Sequence, residues 1–273
     1  MAKKMTVADF AVMRGKNRRF TMITCYDHAM ASVIDQSTID GILVGDSIGN
    51  VVYNYGGTTP VTMDQMVLAV QAVVSGAPNT FILGDLPFGS YNVSCEQAVM
   101  NANRLMKEGG CDCVKLEGGV EVVDKIAAIV KAGIPVMGHI GLTPQTASSL
   151  GGLRIQGKTL DTAKKLLDDI RAIEAAGAIS CGVECVPTAV GKLLNDAVKF
   201  PIFSAGAGPY ANGFGYNLFD LTGFFQSFTP KFCRKYVSLA DAVIEGLNAF
   251  HKDVNDGAYP APEHCYTAAV KGF

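Results

Sequence analysis

Short apolar runs alternate with helix-period stretches along almost the whole chain, and glycine closes one helix after another. Phe20–Asp27 reads as a first strand, followed by an apolar helix from about His28 to Ile34, and Gly41–Asp46 reads as a second strand. Thr62-x-x-Gln65 is a capping box opening a helix with Val67, Val70 and Val74 on one stripe, which Gly76 stops. Phe81–Asp85 is the third strand. Ser94-x-x-Gln97 opens the next helix, with Ala98, Ala102, Leu105 and Met106 at helical spacing before Gly109 and Gly110. Val114–Glu117 is the fourth strand, a helix carrying Val123, Ile126, Ala127 and Val130 ends at Gly133, and Pro135–His139 is the fifth strand. Beyond a glycine-rich loop at 151–157, Ala163, Leu166, Leu167 and Ile170 mark a helix ending at Gly177, and Ile179–Glu184 is the sixth strand. Pro187 starts a helix at a position where its missing N–H does no harm, and Pro201–Gly206 is the seventh strand. The eighth unit is expected within 215–223, ahead of a C-terminal helix from about Ser238 to His251.

This alternation implies parallel strands joined by right-handed crossovers. So many units in a chain of 273 residues predict an α/β fold, a (β/α)8 TIM barrel in one domain spanning 1–273, rather than an open doubly wound sheet. The first helix also lacks the GxGxxG of a dinucleotide fold. A short helix with a cap-like start at Thr6-Val-Ala-Asp9, ending near Gly15 ahead of a basic patch at Lys16–Arg19, would plug one end of the barrel.

Composition narrows the function. With 18% charged residues, a net charge of −2 and no extended basic block, the chain has no electrostatic footprint for nucleic acid or an anionic membrane, which leaves a small-molecule substrate. The low charge content also leads us to expect that some apolar surface is covered by other subunits. Neither a secretory signal nor an uninterrupted membrane-length apolar run is present, so a soluble, cytoplasmic protein is expected. The eight cysteines are scattered through strands and helices and read as reduced packing residues rather than a zinc or redox set.

In such a barrel the residues at the C-terminal ends of the strands meet on one face. Here those ends deliver Asp46, Asp85, Lys115 with Glu117, His139 and Glu184. Alternate residues of a strand face the same way, so Lys115 and Glu117 share one space, either as a structural ion pair or as working groups. Asp46, Asp85 and Glu117, without clustered His or Cys, make a hard oxygen set suited to magnesium or manganese; the alternative is that some of them cap the following helices. Lys115 would neutralise an anionic substrate such as a 2-oxo acid, with Glu117 holding its charge. Glu184 follows an apolar strand, where burial would raise its pKa and suit it to proton abstraction; a paired core carboxylate is the other reading. His139 admits two readings as well, an oxyanion donor or a satisfied core histidine.

Seven stretches carry a family resemblance. Val44-Gly-Asp-Ser-Ile-Gly49, Thr59-Pro-Val-Thr62, Asp85-Leu-Pro-Phe88, Lys115-Leu-Glu-Gly-Gly119, Gly138-His-Ile-Gly-Leu-Thr-Pro-Gln145, Glu184-Cys-Val-Pro187 and Gly257-x-Tyr-Pro-x-x-Glu-His264 together resemble the ketopantoate hydroxymethyltransferase family, in its order and over nearly the whole chain. The resemblance implies a barrel of the phosphoenolpyruvate-mutase and isocitrate-lyase type and a magnesium ion. It also implies a homodecamer and transfer of a one-carbon unit from 5,10-methylenetetrahydrofolate to a branched 2-oxo acid. By motif, Asp46, Asp85 and Glu117 match the metal positions and Glu184 the general base. Ser47 and Lys115 match substrate contacts, so the substrate-binding set expected is Asp46, Ser47, Asp85, Lys115 and His139. A related 2-oxo-acid aldolase or carbon–carbon lyase shares these expectations, and a non-catalytic scaffold is the contrasting class.

One region departs from the family pattern. Ser204-Ala-Gly-Ala-Gly208, Asn212-Gly-Phe214 and Phe219-Asp220 stand where the family reads Gly-Ile-Gly-Ala-Gly, Asp-Gly-Gln and His-Asp. At least one of Phe214 and Phe219 is therefore expected to line the pocket and shift the preference among 2-oxo acids.

Overall fold

The computed structural model describes residues 4–15 and 19–268, so of the basic patch only Arg19 falls inside it. Helix α1 (Val7–Met13) precedes the barrel. Strands β1 (Phe20–Thr24), β2 (Gly41–Val44), β3 (Phe81–Asp85), β4 (Cys113–Lys115), β5 (Val136–Gly141), β6 (Ser180–Glu184), β7 (Ile202–Ala205) and β8 (Gly213–Tyr216) follow in order. All are parallel, each pairs with its sequence neighbours, and β8 returns to β1 to close the barrel. The connections carry α2 (His28–Asp35), α3 (Ile48–Val51), α4 (Met63–Gly76), α5 (Cys95–Arg104), α6 (Val123–Lys131), α7 (Leu160–Ala175) and α8 (Thr188–Ala197). After β8 come α9 (Leu218–Thr222) and α10 (Leu239–Asn255). The chain divides into two compact units, one up to Leu218 that holds the barrel and one from Phe219 that holds α10.

The helix starts follow the sequence signals. Thr62 and Gln65 bond reciprocally at the head of α4, the Ser94 hydroxyl accepts from the Gln97 N–H at the head of α5, and Thr6 pairs with Asp9 at α1. The eighth strand begins earlier than expected, at Gly213, and 218–222 is helical instead. Its sequence, Gly-Phe-Gly-Tyr, has no inward side chains to betray a strand. The reason is space: a Cβ at Gly213 would lie 2.5 Å from the Phe203 ring.

Inward positions recur every second residue and stack in layers. Phe20 and Met22, Phe81 and Leu83, Cys113, Met137 and Phe203 make one apolar cluster inside the barrel. From α1, Phe10 and Met13 close it below, as expected of a plug: the Phe10 ring centroid lies 5.1 Å from Phe81, 5.6 Å from Phe20 and 5.9 Å from Phe203. Burying such a ring is worth roughly 1.5–3 kcal/mol, and each aromatic contact about 0.5–1.5 kcal/mol more.

All eight cysteines are free thiols, but not all are packing residues. Cys25, Cys111, Cys113 and Cys181 are buried, Cys95, Cys185 and Cys233 are partly exposed, and Cys265 is exposed. Among the described residues, no helix is long and apolar enough to cross a membrane.

Candidate active site

The inward ladder turns polar two residues beyond the apolar cluster. Asp85 follows Leu83, Lys115 follows Cys113 and His139 follows Met137, so each strand sets its ionisable group directly above the core. Strand β4 ends at Lys115, but backbone pairing with β5 continues through Leu116 and Gly118, and this keeps Glu117 on the same face as Lys115. Glu184 ends β6 opposite Gly141, and Gly182 supplies the space beside His139.

These groups form one connected cluster. The Lys115 ammonium donates to both oxygens of Asp85 at 2.8 Å and lies 3.6 Å from Glu117 Oε1. His139 Nδ1 sits 3.0 Å from Glu117 Oε1, and its Nε2 sits 3.3 Å from Glu184 Oε2. Lys115, Asp85, Glu117 and His139 are all buried; the Glu184 side chain is 22% exposed. Glu184 is thus not engulfed as its apolar strand suggested, because the strand ends there and the carboxylate stands at the rim with His139 behind it. Burial works against the charge on Lys115, but Asp85, Glu117 and Asp46 outweigh it and hold the pKa well up, which suits a charge partner rather than an amine nucleophile. Burial and Lys115 push His139 down, while Glu117 and Glu184 more than restore it, to about 9. Glu117 is buried too, yet Lys115 and His139 hold its carboxyl below the ordinary range.

Two residues of the site escaped the sequence reading as functional groups. Gln145, buried in the loop after β5, donates from its amide to Asp46 Oδ2 at 2.8 Å and to the Leu86 carbonyl at 2.9 Å, and its backbone N–H donates to Glu117 Oε2 at 3.0 Å. Tyr91, buried in the loop after β3, places its hydroxyl 2.5 Å from Gln145 Oε1 and 3.0 Å from the Glu117 carbonyl. Neither follows a strand period; only the place of Gln145 in the Gly138–Gln145 motif marked it. Ser47, at the start of α3, pairs through its hydroxyl with Tyr26 at 2.8 Å, and Asn217 donates to the same tyrosine oxygen at 2.9 Å.

The three carboxylates expected to share a metal are all in the cluster, but among the described residues no three His, Cys, Asp or Glu side chains are set as a ready cage. Lys115 lies across Asp85, and Glu117 is turned to His139 and the Gln145 N–H. Asp46 and Asp85 do adjoin, since the Asp46 N–H points at Asp85 Oδ2 at 3.3 Å. Burial, then Asp85 and Glu117, drive the Asp46 carboxyl well above its ordinary pKa, against the pull of Lys115 and Gln145. An all-oxygen pair in a pocket with uncompensated negative charge fits a hard divalent cation.

The sequence profile of the ketopantoate hydroxymethyltransferase family matches residues 4–262. The chain belongs to that family. A 3-methyl-2-oxobutanoate hydroxymethyltransferase of Heliobacterium modesticaldum is 48% identical over 266 residues, covering 97% of this chain and 96% of the relative. The enzyme of the same name from Syntrophomonas wolfei is 44% identical, covering 97% and 96%. Among solved structures, phosphonopyruvate hydrolase aligns at a TM-score of 0.61 and 14% identity over 97% of this chain and 92% of that one. So does 2,3-dimethylmalate lyase, of the PEP mutase/isocitrate lyase superfamily, at 0.61 and 13% over 98% and 93%. Such distant likeness speaks for the shared barrel.

The departures from the ketopantoate hydroxymethyltransferase pattern can now be placed. Asn212 lies before β8, at the N-terminal end of the barrel, where its side chain accepts from the Ile202 N–H at 3.3 Å. Gly213 and Gly215 face inward, toward Phe203 and Met22, so Phe214 faces outward, and the Arg19 guanidinium sits 5.3 Å from its ring centre. Of the two phenylalanines, at least one of which was expected at the pocket, Phe214 is turned away from the barrel interior by strand alternation. Phe219 packs edge-on against Phe224 at 5.3 Å. Ser204 is buried and accepts the Ala207 N–H at 3.0 Å.

Proposed function

We propose that this protein transfers a hydroxymethyl group to 3-methyl-2-oxobutanoate, giving 2-dehydropantoate on the route to pantothenate, with 5,10-methylenetetrahydrofolate as donor. The observation that supports the reading best is the rim carboxylate Glu184, backed by His139, beside a buried cluster of three carboxylates and a lysine. Glu184 removes the proton from C3 of the 2-oxo acid. Carbon C3 then bonds to the donor's methylene carbon while the two C–N bonds of that carbon break; water supplies the hydroxyl group, and its other proton and the one taken from C3 go to the two nitrogens of tetrahydrofolate. His139 donates toward Glu184 and fixes the direction in which its carboxylate reaches. Lys115 offsets the charge of the substrate and of the intermediate carbanion. Ser47 and the Tyr26 hydroxyl it bonds to hold the substrate's polar end.

Asp46 and Asp85 would bind a magnesium ion, with Glu117 next to them; when bound, the ion polarises the ketone and makes the C3 proton more acidic. We place the enzyme in the cytoplasm as a homo-oligomer, a decamer by family resemblance.

The test is loss of the C3 proton of 3-methyl-2-oxobutanoate to heavy water, followed by NMR with magnesium and no donor. Exchange is expected, is abolished by excess chelator and is restored by magnesium or manganese. Product formation should then require methylenetetrahydrofolate. Exchange that persists in chelator overturns the metal assignment; carbon–carbon cleavage of a longer 2-oxo acid without any donor overturns the transferase assignment in favour of a lyase.

A further inference from the structure

Gln145 is 4% exposed, and burial of an amide is costly unless its hydrogen bonds are made. Its two N–H groups meet Asp46 Oδ2, which only accepts in the ionised form that a cation would bind, and the Leu86 carbonyl, so in that form the amide cannot be flipped without setting its oxygen against two acceptors. The Tyr91 hydroxyl donates to the remaining oxygen at 2.5 Å. The backbone N–H of the same residue holds Glu117 Oε2. One residue in the loop after β5 thereby touches groups delivered by the ends of β2, β3 and β4.

The identity of the side chain matters as much as its place. A lysine or arginine at 145 would neutralise Asp46 and compete with any cation for it. A neutral amide fixes one oxygen, directs the carboxylate and leaves its charge in place. We propose that Gln145 is a positioning residue that presents Asp46 and Glu117 in a set orientation to an incoming divalent cation, locked in turn by the Tyr91 hydroxyl. This inference rests on the cation reading given above.

The test measures Mn2+ affinity directly, by electron paramagnetic resonance of free Mn2+ added to the full-length protein without substrate. Wild type is compared with Gln145→Leu, Tyr91→Phe and Asp46→Asn, with the fold of each checked by far-ultraviolet circular dichroism. Gln145→Leu is expected to weaken Mn2+ binding by about 10- to 100-fold, the usual cost of losing a group that orients a metal ligand. Tyr91→Phe keeps the ring and removes the hydroxyl, with its contacts to Gln145 Oε1 and to the Glu117 backbone, so a smaller loss in the same direction is expected. A folded Gln145→Leu protein with wild-type Mn2+ affinity overturns the inference. If that variant does not fold, Tyr91→Phe decides: weaker binding supports the proposal, and unchanged binding overturns it. Asp46→Asn separates the two levels. Binding that depends on Asp46 but ignores Gln145 and Tyr91 removes only the positioning role, whereas Mn2+ binding indifferent to Asp46 removes the cation reading and the positioning role with it.

Discussion

Replacing His139 with glutamine offers the sharpest test of the buried cluster. Glutamine keeps comparable reach and hydrogen bonding but cannot carry the positive charge that Glu117 and Glu184 stabilise. The histidine pKa rises from its ordinary 6.5 to about 9 in the folded protein. A shift of that size corresponds to roughly 3 kcal/mol of folding stability. Because the folded state holds the proton more tightly than the unfolded one, this stabilisation is complete below pH 6.5 and disappears as pH rises through about 9. Urea denaturation of metal-free protein, followed by circular dichroism at a series of pH values, reads the effect. Wild type should lose stability steadily across that interval, and His139→Gln should show a nearly flat line that meets the wild-type curve at the alkaline end. Parallel curves for the two proteins would mean that the imidazole is neutral, and the ion-pair account of the cluster would be wrong.

Glu184→Gln should bind 3-methyl-2-oxobutanoate with unchanged Kd in calorimetry while C3 proton exchange falls by roughly a hundredfold or more; surviving exchange would move the base elsewhere. Phe214→Gln, which restores the family residue on the outward face of β8, should leave the ratio of kcat/KM between 3-methyl-2-oxobutanoate and its larger branched analogues within about twofold, since a pocket methylene alone is worth roughly 10- to 200-fold. A tenfold change would put the ring in the site after all. Gly141→Ala should cost roughly 1–3 kcal/mol and most of the activity. Gly141 has φ of +92°, and its new Cβ would fall 2.2 Å from the Glu184 carbonyl oxygen. Wild-type urea midpoints and turnover in that variant would refute the reading that β5 approaches the Glu184 backbone too closely there for a methyl group.

The barrel and most of the candidate site were legible in the sequence for one physical reason, the strand period. Asp85, Lys115 and His139 each lie two residues beyond an interior apolar residue, so a reader who places the strand also places the charge. Loop residues carry no such period, and Gln145 and Tyr91 gave no sign of meeting above the cluster. The exposure of Glu184 depends on where β6 stops relative to its neighbours, a relation between strands that one strand does not encode. The eighth strand was misplaced because Gly213 and Gly215 offer backbone and nothing else. Phe214 misled for the opposite reason: an aromatic ring drew attention, while its parity in the strand decided its direction.

The layering inside the barrel has a consequence for how such enzymes diversify. The apolar floor of Phe20, Phe81, Leu83, Cys113, Met137 and Phe203 is shielded by α1 on one side and by the ionisable tier on the other. Inheritance can therefore treat the two tiers separately. Drift in the floor is filtered by whether the chain still folds, and change in the outermost strand residues by what the protein can still react with. Phosphonopyruvate hydrolase and 2,3-dimethylmalate lyase share the barrel with this chain at 13–14% identity. New chemistry can be written at the ends of the strands while the stem beneath them is copied unchanged in architecture.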